Sequence, residues 1–111
     1  LRIASALLLA LAFAQPVQAE PAACKQAVGF YQPKGGMIGN ARSATAIALV
    51  YLTDIYGQAT MRRELPLKAE LDQGVWIVTG SSSANPHEEG GVAEIRLCRR
   101  NGAVLRVVHG E

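Results

Sequence analysis

The sequence predicts an α+β fold: one long helix packed across a curved four-stranded antiparallel sheet, preceded by an N-terminal arm. Three observations predict it. Residues 41–56 carry an apolar stripe at helical spacing, and after Gln58 the pattern switches to period two. Glycine-containing loops at 72–74 and 100–102 divide the alternating segments as hairpin turns do.

In the helix, Ala44, Ile47, Ala48, Tyr51, Leu52 and Ile55 form the stripe. Ala46, Leu49 and Val50 widen it, so most of the helix should be covered. Asn40 can cap the start through its side-chain oxygen, and Gly57 suits the left-handed position after the last turn. Next, Leu65, Leu67, Ala69 and Leu71 alternate with Glu64, Pro66, Lys68 and Glu70, as in a half-buried strand. Pro66 has no N–H to donate, which assigns this strand to an edge. Residues 75–79, 92–99 and 103–109 supply three more strands.

Register decides which side chains share a face. A two-residue Asn-Gly turn at 101–102 would mix charge into both faces. A three-residue loop with Gly102 left-handed sets Leu97 opposite Leu105 and Ile95 opposite Val107, which sorts one face clean. The same rule at Gly74 pairs Leu71 with Val75 and Ala69 with Ile77. The expected inner face is Leu67, Ala69, Leu71, Val75, Ile77, Ala93, Ile95, Leu97, Leu105 and Val107. The expected outer face carries Lys68, Glu70, Trp76, Val78, Glu94, Arg96, Cys98, Val104, Arg106 and Val108. Trp and Arg are the residues most enriched in interface hot spots. Trp76, Arg96 and Arg106, flanked by Glu70 and Glu94, are therefore candidate partner-binding residues. The competing expectation is that the N-terminal arm covers this face. The loop 81–91, with His87, Glu88 and Glu89 at its tip, is the alternative contact site.

The chain's 111 residues allow one domain. A net charge of +2 without a basic cluster argues against a nucleic-acid partner. With only two His and two Cys, no all-protein Cys/His zinc site of structural type is expected. A secretory signal is expected at 1–19. Arg2 precedes an apolar run from Ile3 to Ala14 interrupted at Ser5, and Val17 and Ala19 are small residues at −3 and −1 of a cut. That run is too short to span a bilayer, so no membrane association is expected after cleavage. The expected organisation is a signal peptide at 1–19, an arm at 20–40 and one domain at 41–111, in a periplasmic or secreted protein.

Export favours pairing of Cys24 with Cys98 over two free thiols. No G-x-S-x-G nucleophile motif is present. His87 beside Glu88 and Glu89 reads as a solvated loop tip rather than a metal site. His109 reads as a packed side chain near the rim of the inner face, since spacing places no acidic residue to orient it. No catalytic, cofactor or metal residue is assigned.

From Met37 onward the chain resembles the NTF2-fold immunity proteins of bacterial polymorphic toxin systems. The residues that carry the resemblance begin with Ala44-Thr45-Ala46-Ile47-Ala48 running into Asp54-Ile55-Tyr56-Gly57. Leu65-Pro66-Leu67-Lys68-Ala69-Glu70-Leu71 and Gly74-Val75-Trp76-Ile77-Val78-Thr79-Gly80 follow. Gly90-Gly91-Val92-Ala93-Glu94-Ile95 and Asn101-Gly102-Ala103-Val104-Leu105, ending at His109-Gly110, complete the order. The resemblance implies an NTF2-like fold, of which one helix on four strands is the cystatin-like half. It implies a protein that binds and neutralises a cognate toxin, and it supplies no catalytic residues to carry over. Combined with export, that places the toxin's action in the cell envelope. Two other functions suit the same elements: a small NTF2-like ligand-binding protein or enzyme, and a cystatin-like or PepSY-like protease-inhibitory module. A closed cavity lined by Tyr51, Asp54 and His109 would favour the first of these.

Overall fold

Asn40 turns the chain into its one long helix, α1 (Ala41–Tyr56), by accepting a 2.8 Å hydrogen bond from the Ser43 N–H. The computed structural model describes residues 20–29, 31–82 and 91–110. The expected signal segment 1–19 lies outside the described residues, as do His87, Glu88 and Glu89. Gly57 ends α1, its N–H donating to the Thr53 carbonyl at 2.9 Å. A short second helix, α2 (Gln58–Arg63), follows directly and buries Met61. The sequence pattern gave no sign of α2, and the first strand starts later than expected. The strands are β1 (Lys68–Asp72), β2 (Val75–Thr79), β3 (Ala93–Cys98) and β4 (Val104–His109). They form one curved antiparallel sheet in the order β1-β2-β3-β4, with β1 at an edge.

α1 lies on one face of this sheet and buries Ala44, Ala48 and Leu52 completely. Its covered stripe is narrower than expected. Val50, Tyr51 and Ile55 are 63%, 44% and 53% exposed, because the sheet meets only the Ala-rich side of the helix.

The β1–β2 register corrects the expected faces. The connection is a two-residue turn in which Gln73 and Gly74 both have positive φ, 47° and 78°. That is the mirror-image turn favoured by two-residue hairpins. It pairs Leu71 with Trp76 and Ala69 with Val78. Relative to the three-residue loop, β2 is slipped by one residue, and a slip of one turns every side chain over. Trp76 and Val78 therefore join the helix-side core, while Val75 and Ile77 face outward.

At the second hairpin Gly102 has φ +76°, as expected, and Ile95 pairs with Val107. The expected Leu97–Leu105 pair does not form. A β-bulge intervenes: Arg96 pairs with Arg106, Leu97 pairs with Val104, and Leu105 is the extra residue. Leu105 packs with the outer-face cluster instead of the core.

Two apolar clusters result. The inner one joins Ile38, Ala44, Ala48, Leu52 and Met61 to Trp76, Val78, Ala93, Ile95 and Leu97. The outer one is Cys24, Val75 and Cys98, edged by Ile77, Ala103 and Leu105. The arm serves both, because it wraps the β3–β4 turn. A 3-10 turn at Ala22–Lys25 brings Cys24 into a disulfide with Cys98 on the outer face. The Asn101 side-chain amide holds the carbonyls of Ala23 and Gln26, and Arg100 pairs with Glu20 at 2.7 Å. Farther along, Met37 and Ile38 donate backbone hydrogen bonds to Arg100 and Arg99, and Ile38 enters the inner core. At Gly36, φ is +83° and a Cβ would fall 2.5 Å from the Arg99 carbonyl oxygen, so only glycine lets the arm pass this close.

Candidate functional site

Helix α1 covers one sheet face, and the arm covers only one end of the other. The uncovered part of the outer face is the candidate site. Strand register lays it out in rows. One row runs Glu70, Ile77, Arg96, Arg106, from β1 across to β4. On one side of it lie Asp72, Val75 and Cys98, the row that the arm reaches. On the other lie Lys68, Thr79, Glu94 and Val108.

A groove of about 320 Å³ opens on this face. Val75, Ile77 and Leu105 supply its apolar lining, and Arg96 and Arg106 its basic side. Asp72 and Gln73 from the first turn, and Pro21 from the arm, complete it. The bulge matters here, because it gives the groove both Leu105 and Arg106, two consecutive residues that a regular strand would send to opposite faces. Arg96 donates through Nε to Glu94 Oε2 at 3.2 Å, with both side chains partly exposed.

Of the residues expected to bind a partner, Glu70, Glu94, Arg96 and Arg106 share this face. The structure brings Arg96 together with Glu94 and sets it opposite Arg106. Trp76 is not among them. It is 7% exposed in the helix-side core, and its indole N–H donates to the Ile38 carbonyl at 2.8 Å. Its placement on the outer face is corrected by the β1–β2 register. The Cys24–Cys98 pairing is present as a disulfide.

A cluster missed from the sequence lies at the far rim of the inner side. Glu64, 6% exposed, follows α2. Its Oε1 accepts the Ala93 N–H at 2.6 Å, and its Oε2 lies 3.1 Å from His109 Nε2. The Tyr56 ring packs on the imidazole with centroids 5.1 Å apart. Gly80 leaves room for the carboxylate, since a Cβ there would fall 2.6 Å from Glu64 Oε1. The acidic partner of His109 is thus 45 residues away, and no local spacing could reveal it. Tyr51 and Asp54, which with His109 would line a closed cavity in a ligand-binding protein, are exposed on α1, while Tyr56 takes the place beside the imidazole. Glu64 uses both carboxylate oxygens to tie the end of α2 to the start of β3 and the end of β4. That makes the cluster a clamp between elements.

Among the described residues, no group of His, Cys, Asp and Glu could hold a metal ion, and no helix is long and apolar enough to cross a membrane. A protein-family model described as NTF2 fold immunity protein matches residues 43–111, from the first turn of α1 through β4. No curated protein and no solved structure matches the chain.

Proposed function

The chain belongs to the NTF2 fold immunity protein family, and from that premise we propose that it is an exported antidote that neutralises a cognate bacterial toxin by direct protein–protein contact. The family match over residues 43–111 carries the proposal. It spans the whole sheet, and so every charged residue of the outer face. The Cys24–Cys98 disulfide supports export, because such bonds persist in oxidising compartments. An exported antidote meets its toxin in the cell envelope.

Contact is assigned to the outer face through Glu70, Glu94, Arg96 and Arg106. The loop 81–91, with His87, Glu88 and Glu89, is the second contact region in this proposal. Trp76 supports binding only by holding the sheet in shape. Inhibition needs no chemistry from this chain; a bound folded domain excludes the toxin from its target by occupying its surface.

The test is protection. A toxin encoded beside this chain is exported to the periplasm of a sensitive host, with and without the full chain carrying its own leader. Survival only with the chain present, with the chain recovered from the periplasm and no free thiol detectable by alkylation, is the expected result. Killing that continues while the folded chain is present in the same compartment would overturn the proposal.

A further inference from the structure

We infer that the outer-face groove receives an acidic segment of the toxin carrying an apolar anchor, with a carboxylate held between Arg96 and Arg106 and the anchor on Ile77 and Leu105. This rests on the antidote role proposed above and adds to it the chemistry of the surface recognised.

The first support is a charge conflict. Arg96 and Arg106 are directly opposite each other on neighbouring strands. Like charges in that position destabilise a sheet. Among the described residues, Glu94 is the carboxylate in ion-pair contact with this pair, and it reaches Arg96 alone. A single bridging carboxylate from outside would neutralise the remainder, and guanidinium groups suit it because they bind carboxylates in a planar fork. The second support is the bulge. It spoils a regular ladder to bring Leu105 beside Arg106 in the groove. An apolar wall and a cation therefore stand side by side, which complements an apolar side chain next to an acid. The third support is size. About 320 Å³ lies at the lower end of ligand pockets and suits one or two inserted side chains. Charge also changes across the groove: Asp72 lines it from β1, with Glu70 beside it, and the arginines line it from β3 and β4. A bound segment is thereby oriented, its acid toward β4 and any basic neighbour toward β1.

The conflict makes a prediction that needs no toxin. Arg106→Glu removes a like-charge pair, so the melting temperature should hold or rise by up to about 5 °C. The same variant should bind the toxin at least ~30-fold more weakly, as loss of a central charged anchor does. Ile77→Ala should weaken binding about tenfold through loss of the anchor's seat. Replacing the acidic residue of the toxin segment by Lys should restore affinity for Arg106→Glu. If wild-type chain binds and protects while both variants bind equally well, the groove is overturned and the antidote role stands. If the wild-type chain neither binds nor protects, both fall. A melting temperature lowered by Arg106→Glu would show that the arginine pair is structural, which also contradicts the inference.

Discussion

The two faces of the sheet are built from the same strands and solve different problems. The inner face is apolar up to its Glu64–His109 rim, meets α1 along Ala44, Ala48 and Leu52, and seats Trp76 with its N–H satisfied by Ile38. The outer face is apolar around the disulfide and mostly polar or charged beyond it, with two arginines opposed and a bulge in the ladder. A continuous buried core marks the face that stabilises. Opposed like charges, relieved only at Arg96 by Glu94, mark the outer face, the one proposed for recognition. The arm links the two by wrapping the β3–β4 turn, so each face depends on it.

Truncations on each side can break this division. Trp76→Ala should be the most damaging, costing about 3–5 kcal/mol, since it empties a core site and strips the Ile38 carbonyl of its partner. Chemical denaturation measures this, and an effect below that of Ile77→Ala would mean that the faces are wrongly divided. Cys98→Ser comes next. The bridge closes a 74-residue separation, and its loss should cost about 4 kcal/mol in the chain-entropy model. Reduction of the wild-type protein should reproduce the fall in melting temperature, and an unchanged transition would free the arm from any role in stability.

Glu64→Ala should cost about 1–3 kcal/mol, because it leaves the Ala93 N–H buried without an acceptor. Glu64→Gln should retain more stability, as the amide oxygen can still accept. Equal losses in urea titrations would refute the clamp. The smallest effect is expected at Gly102, where φ is +76°. Gly102→Val should cost at least ~1 kcal/mol, since a β-branched residue resists that conformation. A neutral result would mean that the turn rearranges without cost.

What was legible in the sequence and what was not follows the same division. α1 was legible with its Asn40 cap because a period of 3.6 and a capping residue agree. The Ile95–Val107 pair was legible because mixed charge rules out the alternative register. β2 was not. Val75, Trp76, Ile77 and Val78 are all apolar: Trp76 and Val78 enter the core, while Val75 is buried in the arm cluster on the other side with Ile77 at its edge. Periodicity cannot choose a face when consecutive residues are all apolar. The turn that does choose depends on Gln73 adopting positive φ, which glutamine does not advertise. The bulge at Leu105 left no local mark, and Glu64 looked like the polar partner in an alternating strand. Glu70, Glu94, Arg96 and Arg106 kept their expected face because β1, β3 and the part of β4 beyond the bulge kept theirs. Trp76 did not, because β2 turned over.

Methyl spectra of the chain titrated with its toxin test the division of faces most directly. Ile77 and Leu105 report on the outer groove, and Ile95 and Leu97 on the inner core, from the same sheet. Binding at the outer face should shift or broaden the Ile77 and Leu105 methyl signals and leave Ile95 and Leu97 nearly in place. A complex that perturbs Ile95 and Leu97 while Ile77 and Leu105 stay unchanged would contradict it.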